Sequence, residues 1–87
     1  MSTLTLETEP LAVDVTVTGS SLRVSLDDGR ELSVPVAWFP RLRDAAPAAR
    51  ANWRLIGLGE GIHWPDIDED ISILGLLAGN RRQSRAA

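Results

Sequence analysis

Eighty-seven residues, 44% hydrophobic and 24% charged, suffice for one domain of modest stability and exclude a chain that is disordered by default. The absence of cysteine removes disulfide staples, thiolate metal sites and thiol nucleophiles together, and suits a reducing cytoplasm. The net charge is −3, but the first eighty residues hold six Arg against twelve acids, a balance of −6, before Arg81, Arg82 and Arg85 reverse part of it. Such a body repels phosphate backbones, so no direct nucleic-acid binding is expected of it.

The opening MSTLTLETEP has no basic region ahead of an apolar run. No window approaches the roughly 18 to 20 apolar residues of a membrane span. An intracellular, cytoplasmic protein without membrane contact is expected, with residues 1–10 as a flexible lead-in. Val13, Val15 and Val17 alternate with Asp14 and Thr16, the period of a half-buried strand. Thr18-Gly19-Ser20 is turn chemistry. Leu22, Val24 and Leu26 give a second strand. Asp28-Gly29 reads as a hairpin whose two central residues both take positive φ. Glu31 to Val36 makes the third strand, and Pro35 places it at an edge or at its end.

Ala37 to Leu42 fits a short helical turn whose aromatics cover the sheet. Pro47 opens a second short helix, as proline does at a first helical position. Trp53 to Leu58 and Gly61 to Trp64 read as strands four and five, separated by a turn punctuated by Gly57, Gly59 and Gly61 and stopped by Pro65. Asp66 to Asp70 then supplies carboxylates ahead of an apolar run, Ile71 to Ala78, that ends at Gly79-Asn80. Carboxylates at a helix start satisfy free N–H groups and favour the dipole. The spacing of Ile67, Ile71, Leu74 and Leu77 would dock that helix on the sheet. The fold class expected is α+β: a three-stranded antiparallel meander, a short helix, two further strands and a C-terminal helix packed on the sheet. The domain spans 11–79, with a basic tail over 80–87.

Several constellations invite a functional reading. The D-x-D-x-D spacing of Asp66, Asp68 and Asp70 begins like a calcium loop. Such a loop needs Gly at its sixth position and Glu at its twelfth, where this chain has Ile71 and Leu77. No metal site is therefore expected, although magnesium or manganese held by two carboxylates is a second reading. His63 is the lone histidine; metal binding ordinarily wants a second His or Cys, so it reads as a surface residue turned away from Ile62 and Trp64. A general base paired with Asp66 or Asp68 is its chemical alternative, and no motif supplies a nucleophile. The glycines at 57, 59 and 61 lead into a strand without a following Lys, which rules out a phosphate loop. The serines lack the nucleophile-elbow context. No catalytic residue and no cofactor are expected. Trp38, Trp53 and Trp64 supply the bulk of a small core, the favoured role for each; an exposed Trp64 beside Pro65 and the acidic run would be the natural interface anchor.

The stretch Trp38-Phe39-Pro40-Arg41-Leu42, Asn52-Trp53, the run from Gly59-Glu60-Gly61-Ile62-His63-Trp64-Pro65 through Asp66-Ile67-Asp68-Glu69-Asp70-Ile71-Ser72, and Leu76-Leu77-Ala78-Gly79 resemble the small bacterial family of unknown function DUF2442, over roughly residues 11 to 79. The resemblance implies three strands, a helix, two strands and a helix. It also implies members that stand alone or carry a helix-turn-helix segment, and frequent encoding beside another small protein in a toxin–antitoxin-like pairing. It brings no catalytic residues. The expectation is a non-enzymatic protein-interaction module, antitoxin-like or regulatory. Its candidate partner surface is Trp64, Pro65, Asp66, Asp68, Glu69 and Asp70, and its partner is the product of a neighbouring gene or a second copy in a homodimer. An acidic inhibitor from a mobile element, bound to a host protein or to a nucleic-acid-binding site, and a metal-dependent hydrolase are the competing readings.

Overall fold

The computed structural model describes residues 9–79. Residues 1–8 of the stretch 1–10 expected to be flexible, and the whole of the basic tail 80–87, lie outside the described residues. The chain forms β1 (Ala12–Val17), β2 (Ser21–Leu26), β3 (Glu31–Pro35), a 3-10 turn (Val36–Trp38), α1 (Pro40–Arg43), α2 (Pro47–Ala51), β4 (Arg54–Ile56), β5 (Gly61–Trp64), β6 (Glu69–Ser72) and α3 (Ile73–Leu77). The strands make two three-stranded antiparallel sheets, β1-β2-β3 and β4-β5-β6. The class is α+β, with a sixth strand beyond those read from the sequence.

The first sheet follows the period of two. Val15 pairs with Val24 and Val24 with Leu32 on the core side, while Thr16, Arg23 and Ser33 align on the other face. At its start β1 departs from the simple alternation. A bulge between Ala12 and Asp14 shifts the register, burying Ala12 and leaving Val13 56% exposed. The extra residue of a bulge turns the side chains before it onto the opposite face, so Val13 does not share the face of Val15 and Val17. The second hairpin also departs from expectation. Leu26 N–H donates to Arg30 O at 2.8 Å across a loop of Asp27, Asp28 and Gly29, and only Gly29 takes positive φ, at 94°. The Asp28 carboxylate accepts from Arg30 N–H at 3.0 Å, a local bond that lets Asp open a turn without a left-handed backbone. Pro35 closes β3, which lies at the sheet edge, where a missing N–H is harmless.

Gly59 joins the sheets. Its carbonyl accepts from Ala12 N–H at 2.8 Å; its φ is +117°, and a Cβ would stand 2.5 Å from Ala12 O. Only a residue without a side chain allows that approach. Both sheets turn their apolar faces to one core, where Leu22, Val24, Phe39, Leu42, Ile62 and Ile71 are almost wholly enclosed.

The C-terminal part corrects the sequence reading most. Residues 69–72 pair with β5 as a strand, Ile62 opposite Ile71 and His63 opposite Asp70. The helix starts only at Ile73, with no acid in its first turn. Its cap is Ser72, whose Oγ accepts from Gly75 N–H at 2.9 Å. Ile73 and Leu76 are its buried residues, whereas Leu74 and Leu77 are exposed. A β-hairpin pairing over the acidic run outcompetes local helix signals because Ile71 reaches the core only from a strand beside Ile62. Among the described residues, no helix is long and apolar enough to cross a membrane.

Candidate interaction surface

The acidic run is split between a loop and a strand. Pro65, Asp66, Ile67 and Asp68 connect Trp64 to Glu69, which face each other across β5 and β6. Four-residue hairpin loops are a common solution at this separation. Asp68, the last of the four, takes φ 53°, a left-handed conformation that Asp tolerates better than most residues.

Strand alternation then decides where each carboxylate goes. Glu69 shares the inner face with Ile71, and Asp70 shares the outer face with Ser72. Glu69 is accordingly fully enclosed, as is Trp64 opposite it. These two are corrections to the candidate surface. Trp64 is a core residue whose Nε1–H donates to the Arg50 carbonyl at 3.0 Å. Glu69 offers no charge to solvent. Pro65 is half-buried, and Asp66 and Asp68 are exposed, so the surface that survives is the loop itself.

That loop is held from the side by two residues whose contacts the sequence did not indicate. Arg41, in α1, donates from Nη1 to the Asp68 carbonyl at 2.8 Å. Asn52, just after α2, donates from Nδ2 to Asp66 Oδ2 at 3.1 Å. Arg41 and Asn52 stand in the stretches that carry the family resemblance, but nothing in those stretches assigns either of them a contact with the loop. The first bond holds the loop backbone at Asp68, the second holds the Asp66 side chain, and the Trp64 indole on Arg50 anchors the strand end from which the loop leaves. The Asp68 carboxylate stays at the surface.

His63 sits on the outer face, away from Ile62 and Trp64, as its strand position requires. Its cross-strand neighbours are Arg54 on β4 and Asp70 on β6. His63 Nδ1 and Asp70 Oδ1 are 2.5 Å apart, with the side chains 30% and 28% exposed. The partner is thus Asp70, and the Asp66 and Asp68 considered for that role lie in the loop beyond. With Glu69 on the inner face and Asp70 on the outer, the D-x-D-x-D spacing does not converge. Among the described residues, no group of three or more His, Cys, Asp or Glu comes together to hold a metal ion.

Two exposed carboxylates elsewhere are perturbed by neighbouring guanidinium groups. Asp28 lies below the usual carboxylate range because the Arg30 side chain hydrogen-bonds to it. Asp44 lies below it because Arg43 does the same, with bonds of 2.9 and 3.1 Å. Exposed pairs of this kind contribute little to stability.

Two solved structures share the fold. A protein of unknown function from Rhodospirillum rubrum is 28% identical, with a TM-score of 0.71 over 83% of this chain and 89% of that one. An uncharacterized protein from Chromobacterium violaceum, solved in solution, is 23% identical with a TM-score of 0.71, over 83% of this chain and 68% of that one. No curated protein matches the chain. The model of the family described as "Protein of unknown function (DUF2442)" matches residues 12–82, and the chain belongs to that family.

Proposed function

We propose that the chain is a non-enzymatic protein-interaction module, the antitoxin-like or regulatory member of a small bacterial two-protein system. The β5–β6 loop is the part that meets the partner. The observation that supports this reading is the combination of a braced loop, its backbone tied by Arg41 at Asp68 and its Asp66 side chain by Asn52, with exposed residues at both positions. A loop ordered before binding loses little conformational freedom on association. Two surface carboxylates on a rigid turn select a cationic face and steer its approach. The pairing with a neighbouring gene product, implied by the family resemblance, supplies the candidate partner.

The test is co-expression with that gene product followed by size exclusion, using wild type and the double variant Asp66→Asn/Asp68→Asn. Asn keeps an acceptor for Asn52 and removes only the charge. Co-elution of wild type, with slower association and a weaker salt dependence for the variant, is expected. No co-elution of the wild type defeats the module reading; co-elution with unchanged association kinetics defeats the role of the loop.

A further inference from the structure

β1 is an edge strand, and among the described residues its outer edge is hydrogen-bonded at its beginning. Ala12 N–H donates sideways to Gly59 O at 2.8 Å. At the other end, Thr18 N–H donates to Ser21 O at 2.8 Å, which sets the phase of the β1–β2 ladder. Bonded pairs recur at every second residue of an antiparallel pair, so Thr16 bonds toward Arg23, its register partner. Val15 and Val17 then turn their N–H and C=O groups away from β2. Along this stretch lies a groove of about 400 Å³ between β1 and α2, lined by Val15 to Gly19 on one side and by Pro47, Arg50, Ala51 and Trp53 on the other. It falls within the usual range of ligand pockets. A strand edge facing a short helix across an apolar gap is the geometry in which an extended peptide adds to a sheet.

Arg50 gives the groove its charge. Its guanidinium donates to three carbonyls, Leu42 O at 3.1 Å, Thr18 O at 3.2 Å and Arg43 O at 2.5 Å. These contacts staple α1 and α2 to the β1–β2 turn, and all three acceptors are neutral carbonyls, which leave the guanidinium charge in place. Asp44 is near enough for Arg50 to help lower its pKa, yet the Asp44 carboxylate is hydrogen-bonded to Arg43. Among the described residues, Arg50 is the charged one lining the groove.

We propose that the groove between β1 and α2 binds an extended, β-branched peptide segment of a partner protein, which pairs with Val15 and Val17 and sets an acidic side chain against Arg50. The Ala12–Gly59 contact closes one end of the groove, so the segment is short. The strand runs on from Val15 only to Val17, about 10 Å at ~3.3 Å per residue, room for three paired residues with one flanking residue at each end. This surface is distinct from the β5–β6 loop, and either can fail without the other.

The probe is a set of acetylated, amidated pentapeptides of alternating Val and Thr in which a Glu is moved through each position, titrated into the ¹⁵N-labelled full chain. At least one should shift the Val15 and Val17 amides and the Trp53 indole, saturating with a Kd of roughly 0.1 to 1 mM. Changing its Glu to Gln should weaken binding about tenfold, the value of a charge-assisted hydrogen bond. Methylating the backbone nitrogens that face β1 should abolish it. Ala51→Glu, an exposed change on α2, should weaken binding similarly while leaving the melting temperature within a few degrees. The proposal is overturned if none of the peptides perturbs those resonances up to about 5 mM. It is equally overturned if the N-methylated peptide or the Ala51→Glu variant binds as well as its parent.

Discussion

Trp64→Ala removes the largest of the fully buried side chains and with it the indole N–H that satisfies the Arg50 carbonyl at 3.0 Å. Truncating a buried Trp costs about 3 to 5 kcal/mol in transfer and cavity terms. The orphaned carbonyl pushes the cost toward the upper end. A domain of 87 residues has a total stability of roughly 4 to 13 kcal/mol, so the loss is a large fraction of the whole. At about 4 to 8 °C per kcal/mol for a domain of this size, the melting temperature should fall by roughly 12 to 40 °C. Far-UV circular dichroism melts of the variant and the wild type measure this. Trp64→Phe is the graded control; it keeps an aromatic ring and forfeits the hydrogen bond, at about 1 to 3 kcal/mol. A Trp64→Ala melting temperature within ~4 °C of wild type, the response of an exposed residue, would refute the placement of Trp64 in the core.

Three other outcomes follow from the geometry. Gly59→Ala would set a Cβ 2.5 Å from Ala12 O at φ +117°; with the strain of that backbone region it should cost about 1 to 3 kcal/mol or more in urea titration, and a neutral result would contradict the junction between the sheets. Ser72→Ala should cost about 1 kcal/mol as a lost helix cap, whereas Asp66→Ala and Asp68→Ala should each stay within ~0.5 kcal/mol; the opposite order would return the helix start to the acidic run. Asp28 and Asp44 have folded-state pKa values depressed below 3.8 by Arg30 and Arg43. Their contribution to stability is therefore present above that value and is lost as pH falls through the folded-state pKa. Carboxyl NMR titration should give both midpoints below 3.8, and Arg30→Gln should raise that of Asp28; midpoints at or above 3.8 would contradict the pairs.

The meander was legible because its strands are half-buried and their composition alternates strictly, most cleanly at Leu22, Val24 and Leu26. Pro35 and Pro47 also marked an edge strand's end and a helix's first turn where the structure has them. Illegible features depend on contacts distant in sequence. The bulge that exposes Val13 goes with the bond from Ala12 to Gly59, 47 positions along the chain. Strand β6 carries Glu69 and Asp70, residue types depleted in strands, and the apolar spacing from Ile67 to Leu77 fits a helix as well. Pairing with β5 resolves that ambiguity, and nothing within the segment does. The candidate site suffered from the same ambiguity. A run of acids ahead of a helix and a run of acids crossing from loop to strand look alike in sequence, yet the strand sends Glu69 inward beside Trp64 and leaves Asp66 and Asp68 outside. The braces on the loop, Arg41 and Asn52, lie in stretches that mark the family, yet their contacts with the loop, 27 and 14 positions along the chain, appear only in three dimensions.

The account of the interaction surface is tested most directly by amide chemical shifts of the ¹⁵N-labelled chain as the unlabelled neighbouring gene product is added. Shifts centred on Pro65's neighbours, Asp66, Ile67 and Asp68, and on the Asn52 side-chain amide are the result expected. Shifts confined to the groove between β1 and α2, or to the outer face around Arg54 and His63 with the loop unmoved, would contradict it.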